Sequence, residues 1–284
     1  MEVRLAKTAG FCFGVKRAVD TVYKQVEDNS TQQIYTYGPI IHNEEVIKDM
    51  ESKGITVLRS ERELDAIENG VVIIRSHGVS RHIYVKLEAK GITCIDATCP
   101  FVKKIHQIVE IQKGEGRRIV IIGNAAHPEV EGIKGWAGND AVVVGSAEEV
   151  GRLAFPENEK ICIVAQTTFH YKKFEELVEI IRKKRYDIIV LNTICNATKE
   201  RQTEAKRIAE GAEAMIVIGD KHSSNTQKLF EICNNACKNT YYIQTLKDLD
   251  LNQLGSVTTV GITAGASTPK NIIEEVQNNV RINF

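Results

Sequence analysis

The chain has 284 residues, of which 43% are apolar, and it carries 37 basic and 37 acidic side chains. This composition allows an ordinary globular core, and the zero net charge argues against a protein built to coat nucleic acid. No apolar stretch approaches the length of a membrane span, and no secretory signal is recognisable. We therefore expect the seven cysteines to lie in the reducing cytoplasm. There they are expected to act as metal ligands or catalysts rather than to form disulfides.

Three cysteines occupy the same place in a repeated order of elements. Each follows a β-rich segment and opens a segment with helical periodicity. These cysteines are Cys12, Cys99 and Cys195, and they are separated by 87 and 96 residues. We interpret this spacing as three copies of one structural unit.

The segments that follow each cysteine helix also match in order. A short strand and a glycine lead into a first polar loop, and a later strand ends in a second one. The first polar loops are residues 38–44, 123–129 and 219–225. The second polar loops are residues 75–78, 166–168 and 264–268. Between them, helix starts of the capping type are predicted at Ser60, Ser146 and Thr245.

Strands that alternate with helices predict an α/β fold, with mostly parallel sheets covered by helices on both faces. The predicted units span residues 12–98, 99–194 and 195–284. The third unit lacks a following strand, so we expect the N-terminal strand, within residues 1–11, to complete it. Ligand loops follow the carboxyl ends of such strands. Three converging edges would place all nine loops around one central cavity.

Three thiolates at helix starts can together hold one metal centre, because a helix N-terminus favours the ionised thiol. Zinc would need a fourth ligand for a structural site, whereas a 4Fe–4S cluster on three cysteines leaves one iron open for substrate. The spacing alone does not choose between zinc and iron–sulfur. The other cysteines are predicted to lie inside strands or helices, to have no counterparts in the repeats and to be packing residues: Cys94, Cys162, Cys233 and Cys237.

The polar loops combine hydroxyls, an amide, imidazoles and one obvious acid. Their residues are His42, His77, His127, Glu129, Thr167, Ser223, Ser224, Asn225 and Ser267. Together with backbone N–H groups at helix starts, such groups suit a small polyanion such as a diphosphate. The chain has neither a P-loop nor a credible dinucleotide fingerprint, which argues against a nucleotide.

Several short motifs carry a resemblance to a known family. They are Gly10-Phe-Cys12-Phe-Gly-Val, Asp96-Ala-Thr-Cys99-Pro-Phe-Val, His127-Pro-Glu129, Ala165-Gln-Thr-Thr168, Ile194-Cys195-Asn-Ala-Thr, His222-Ser-Ser-Asn225 and Thr263-Ala-Gly-Ala-Ser267-Thr-Pro. Across essentially the whole chain, these motifs resemble those of the 4-hydroxy-3-methylbut-2-enyl diphosphate reductases, which make the last step of the methylerythritol phosphate route to isoprenoids.

The resemblance implies a 4Fe–4S cluster on Cys12, Cys99 and Cys195 at the centre of a trefoil of three α/β units. It implies diphosphate binding by His42, His77, His127, Ser223, Ser224, Asn225 and Ser267. Thr167 would lie near the substrate hydroxyl, Glu129 would deliver protons, and His127 would share the reacting centre with them. The products would be isopentenyl and dimethylallyl diphosphate, and the electrons would come from a ferredoxin or flavodoxin.

Two other classes of function stay open on the residues alone. A non-redox dehydratase could use an open cluster iron purely as a Lewis acid, and it would need no electron donor. A sensor or scaffold could bind iron–sulfur or zinc without catalysis, and it would not need nine convergent polar loops.

Overall fold

The computed structural model describes residues 2–28, 32–138, 140–255 and 257–283. Within them the strands are β1 (Glu2–Leu5), β2 (Ile34–Tyr37), β3 (Thr56–Leu58), β4 (Val71–Ile74), β5 (Thr93–Asp96), β6 (Arg118–Ile122), β7 (Val142–Val144), β8 (Lys160–Ala165), β9 (Asp187–Val190), β10 (Ala214–Ile218), β11 (Thr240–Ile243) and β12 (Thr259–Ala264). They form three four-stranded sheets in which every described pairing is parallel. The predicted α/β class is confirmed.

Helices connect the strands throughout the described chain. They are α1 (Phe13–Asp28), α2 (Glu44–Ser52), α3 (Glu61–Ala66), α4 (Arg81–Ala89), α5 (Pro100–Gly114), α6 (Pro128–Ala137), α7 (Ala147–Gly151), α8 (Tyr171–Arg182), α9 (Asn196–Glu210), α10 (Ser224–Ala236) and α11 (Lys270–Asn283). In the described part of the chain, no helix has the length and apolar character needed to cross a membrane.

Two of the three predicted capping sites begin α-helices. Ser60 accepts a hydrogen bond from the backbone N–H of Glu63, and Ser146 accepts one from that of Glu149. The third site differs, because the capping box of Thr245 and Asp248 opens a short 3₁₀ turn rather than an α-helix. A capping box provides hydrogen-bond partners for the backbone N–H groups at the start of either helix type.

The chain divides into two compact units. The first comprises Met1–Lys16, His42–Lys48 and Cys195–Phe284, and the second comprises Arg17–Ile41 and Asp49–Ile194. The second therefore contains the sheets of both the first and the second predicted repeat. The division into three units at residues 12–98, 99–194 and 195–284 stays a prediction.

The sheet of the first unit has the strand order β1-β12-β10-β11. The N-terminal strand β1 pairs with β12, with Glu2 opposite Thr259, which is the place that the repeat pattern predicts for it. Alternate residues of the central strands face opposite layers of helices. Ile216 and Ile218 pack with residues of α11, whereas Met215 packs with residues of α9 and α10.

The second unit holds two sheets, with strand orders β3-β2-β4-β5 and β7-β6-β8-β9. Its helices show the apolar stripe expected of a helix on a sheet. In α8 this stripe is Phe174, Leu177, Val178 and Ile181, which pack against β6 and β8. Continuous apolar runs such as Val71–Ile74 become the buried central strands.

Candidate functional site

Each of the three cysteines precedes a helix, as predicted. Cys99 is the N-cap of α5 and Cys195 is the N-cap of α9, and neither side chain caps its own helix. Cys12 lies directly before α1, and its carbonyl accepts the backbone N–H of Lys16 at 2.9 Å. All three side chains are partly exposed. Each of the three cysteines therefore stands at the start of a helix.

The other four cysteines lie in different surroundings. Burial raises the pKa of Cys162, in β8, to about 11 and that of Cys233, in α10, to about 12. Desolvation, followed by the nearby carboxylate of Asp96, raises the pKa of Cys94 to about 11. Cys237 is buried but lies one residue beyond α10 rather than inside a helix, which corrects the predicted placement. Thiols that resist ionisation are poor metal ligands. The buried side chains of Cys162, Cys233 and Cys237 fit the predicted packing roles, whereas Cys94 is exposed and does not.

In the second unit, a buried acid is held by one threonine. Glu129 lies in the first turn of α6 and is 2% exposed. The backbone N–H of Thr167 donates to Glu129 Oε1 at 2.6 Å, and Thr167 Oγ1 donates to Oε2 at 2.6 Å. Burial raises the pKa of Glu129 to about 7, and the hydrogen bonds from Thr167 oppose that rise. The carboxyl group therefore changes its charge near neutral pH.

Two histidines and a cysteine of the same unit are linked to this acid through a series of contacts. Nδ1 of His127, the N-cap of α6, accepts the backbone N–H of Glu129 at 3.2 Å. The rings of His77 and His127 meet edge to face, with centroids 5.3 Å apart. The backbone N–H of Cys99 donates to the carbonyl of Ser76 at 2.9 Å. The second unit thus brings together Cys99, His77, His127, Glu129 and Thr167.

The first unit brings together hydroxyl and amide groups. Ser223 is the N-cap of α10, and its Oγ lies 3.4 Å from Oγ of Ser267. Ser267 Oγ donates to the carbonyl of His42 at 2.8 Å. Ser224 opens α10, and Asn225 follows it with 5% of its surface exposed. Because Asn225 Nδ2 is a buried donor without a hydrogen-bond partner in the described chain, it is a group that a ligand could satisfy.

Comparison with known proteins decides the family. The sequence model of a family described as LytB protein matches residues 3–281. The chain belongs to the LytB family. A relative from Caldanaerobacter subterraneus subsp. tengcongensis, named 4-hydroxy-3-methylbut-2-enyl diphosphate reductase, is 46% identical over 281 residues, which are 99% of this chain and 97% of the relative.

Two solved structures resemble the LytB-family chain along almost its whole length. The E-1-hydroxy-2-methyl-but-2-enyl-4-diphosphate reductase from Plasmodium falciparum is 31% identical with a TM-score of 0.92, and the match covers 98% of this chain and 87% of that one. A structure of (E)-4-hydroxy-3-methyl-but-2-enyl diphosphate reductase, described as the terminal enzyme of the non-mevalonate pathway, is 39% identical with a TM-score of 0.72, over 99% of this chain and 100% of that one.

Two buried charged residues of this LytB-family chain are not among the site residues predicted from the sequence. Asp220 follows β10, accepts the backbone N–H of His222 at 2.7 Å, and accepts that of Glu44 at 3.0 Å. It thereby holds the segment that carries His42 against the loop that carries Ser223. A glycine and an aspartate after a strand are typical of such a turn, so this signal was available. Arg201 is the other residue, and its helix α9 is too polar in sequence to suggest burial.

Proposed function

We propose that this protein is a 4-hydroxy-3-methylbut-2-enyl diphosphate reductase, which removes the substrate hydroxyl reductively and forms isopentenyl and dimethylallyl diphosphate. The observation that carries the proposal is the buried carboxyl of Glu129, whose pKa is raised to about 7. A reaction that expels hydroxide needs such an acid near neutral pH. The reductase names of full-length relatives at 45–47% identity support the same activity.

We propose that Cys12, Cys99 and Cys195 bind one 4Fe–4S cluster. The donor set fits this group, because each sulfur lies at a helix start while the remaining thiols of the chain are buried or resist ionisation. A cubane normally takes four cysteines, so three leave one iron without a protein thiolate. When bound, the cluster supplies electrons and an open iron that polarises the hydroxyl.

Glu129 supplies the proton that turns the departing hydroxyl into water. Thr167 holds the carboxyl through both oxygens and places its own Oγ1 beside it, which suits a residue next to the substrate hydroxyl. Two electrons from an external donor reduce the allyl fragment, which accepts a second proton at one of two carbons and so gives two products. His127 shares this reacting centre through its contact with the Glu129 backbone.

The diphosphate is bound by imidazoles, hydroxyls and one amide. These residues are His42, His77, His127, Ser223, Ser224, Asn225 and Ser267. The unsatisfied Nδ2 of Asn225 and the N-terminus of α10 support an anion at this place in the first unit. We further propose a ferredoxin or flavodoxin as the electron donor. A cytoplasmic location would keep the cluster ligands reduced.

The decisive experiment is anaerobic purification followed by iron and sulfide analysis and a reductase assay with a reduced viologen dye. The proposal predicts about four irons per chain, and turnover that requires the reductant. Water loss without reductant would instead indicate a dehydratase. A cluster without any turnover would indicate a sensor or scaffold.

Matched serine variants test the ligand set. Cys99→Ser should lose the cluster, and Cys94→Ser, five residues earlier in the chain, should keep it. Equal losses of iron and of visible charge-transfer absorption in the two variants would contradict the three-cysteine assignment.

A further inference from the structure

A buried arginine in the first unit lacks a carboxylate partner. Arg201 of α9 is 4% exposed, and its Nη1 donates to the carbonyl of Ala264 at 3.0 Å. Its Nε is buried without a hydrogen-bond partner, and in the described residues no acidic oxygen lies within 4.0 Å of its guanidinium. Burying a charge in this way is unfavourable unless negative charge lies nearby.

Three residues act electrostatically on Arg201: Cys12, Glu204 and Cys195. Burial lowers the pKa of Arg201, and these three neighbours oppose that decrease. Glu204 already accepts the backbone N–H groups of Lys7 and Thr8, at 3.0 and 2.9 Å. With a cluster bound, the sulfurs of Cys12 and Cys195 would add negative charge to that of Glu204.

The same helix side also positions the chain around Cys12. Arg201 holds the last residue of β12 through the Ala264 carbonyl, and two residues later the Ala266 carbonyl accepts the backbone N–H of Cys12 at 3.3 Å. Glu204, three residues after Arg201, holds the segment that precedes Cys12. Since Cys195 is the N-cap of α9, one helix supports both cysteines of this unit.

We propose that Arg201 is a positioning residue that keeps a positive charge beside the sulfurs of Cys12 and Cys195 and so raises the reduction potential of the cluster they hold. This inference rests on the proposed function. The reduced cluster carries one more negative charge than the oxidised cluster. A nearby cation therefore stabilises the reduced form more strongly, and the effect is large where solvent is excluded.

Three variants separate charge from packing. Arg201→Met removes the charge and keeps an apolar stem, whereas Arg201→Lys keeps the charge and loses the planar fork. Arg207→Met is the matched control, because Arg207 is exposed on the same helix. The readouts are the midpoint potential from a redox titration followed by electron paramagnetic resonance, and the rate at which an iron chelator removes the cluster.

At a fixed applied potential, Arg201→Met should shift the ratio of oxidised to reduced cluster about tenfold toward the oxidised form. This shift corresponds to a midpoint potential about 59 mV lower for a one-electron couple. The variant should also lose its cluster to the chelator about tenfold faster. In Arg201→Lys, the ratio of oxidised to reduced cluster should stay within about threefold of the wild-type ratio. Arg207→Met should match the wild type in both readouts.

An unchanged potential in Arg201→Met, or equal shifts in the Lys and Met variants, would overturn the inference. If Arg201→Met does not fold, a shift of Arg201→Lys toward the oxidised form by about tenfold would equally contradict a charge effect. Wild-type protein that binds no cluster would instead refute the proposed function, so the two failures are distinguishable.

Discussion

The loops after β6 and β10 have the same architecture but carry different chemistry. Each strand leads into a polar loop, a capped helix follows, and the second residue of each helix is buried. After β6 that residue is Glu129, whose carboxyl oxygens are both occupied by Thr167. After β10 it is Asn225, whose Nδ2 has no hydrogen-bond partner in the described chain. One position therefore holds a titratable acid and the other a neutral donor.

This difference fits the different roles proposed for Glu129 and Asn225. A buried carboxyl gains or loses a proton near neutral pH, so it suits proton transfer. An amide keeps its donors at every pH, so it suits an anion that must stay bound through turnover. Substitutions at the two positions should accordingly affect different kinetic constants.

The largest expected effect is on turnover in Glu129→Gln. Glutamine keeps the size of the side chain but supplies no proton, so kcat should fall by roughly 10²–10⁴-fold. Iron content should stay unchanged. Glu131→Gln, at an exposed position on the same helix, is the control. A Glu129→Gln variant within about threefold of the wild-type kcat would remove Glu129 from this role.

Glu129 should also make stability depend on pH. Because its pKa is raised from 4.5 to about 7 in the folded protein, the folded state binds its proton more tightly than the unfolded state. This stabilisation is complete below pH 4.5 and is lost as pH rises through about 7. At about 1.4 kcal/mol per pKa unit, the loss has an upper limit of about 3.5 kcal/mol.

Unfolding midpoints of wild type and Glu129→Gln, measured from pH 4.5 to 8, test this stability effect. The wild type should lose stability relative to the variant as the pH rises. Parallel pH dependences in the two proteins would show that the buried carboxyl has an ordinary pKa.

Asn225→Ala tests the anion-binding role proposed for the buried amide after β10. It removes one hydrogen bond to a charged ligand, worth roughly 1.5–3 kcal/mol, so the KM for the diphosphate substrate should rise about 10- to 100-fold with little change in kcat. Asn235→Ala, exposed on the same helix, should behave as wild type. A fall in kcat at constant KM would place Asn225 in the chemical step instead of in anion binding.

The smallest expected effect is in Thr167→Val. Valine removes the hydroxyl that donates to Glu129, and that hydrogen bond lowers the pKa of the carboxyl. The alkaline limb of the kcat profile, expected near pH 7 in the wild type, should therefore move to higher pH. Thr203→Val, at an exposed position, should leave the limb in place. A shift to lower pH would contradict the assigned direction.

Much of the architecture is predictable from the sequence because the signals are local. Continuous apolar runs form the central strands, and polar loops follow their carboxyl ends as the α/β pattern requires. The place of β1 beside β12 follows from the strand missing in the third repeat. The positions of the three cysteines before helices follow from the change in periodicity that surrounds them.

The missed features depend on residues that are distant in sequence. Thr167, which holds both oxygens of Glu129, lies 38 residues away from it, and Ala264, which accepts from Arg201, lies 63 residues away. A polar helix such as α9 has the composition of a solvated one, and only the elements packed against it determine which charged side chain is buried. The pKa of Glu129 is likewise a property of packing.

The protonation state of Glu129 tests the account most directly. Infrared difference spectra between wild type and Glu129→Gln isolate the carboxyl band of this one residue. We expect a protonated carboxyl at pH 6 that converts to carboxylate with a midpoint near pH 7. A carboxylate band already complete at pH 5 would contradict it, because Glu129 would then hold no proton to give to the departing hydroxyl.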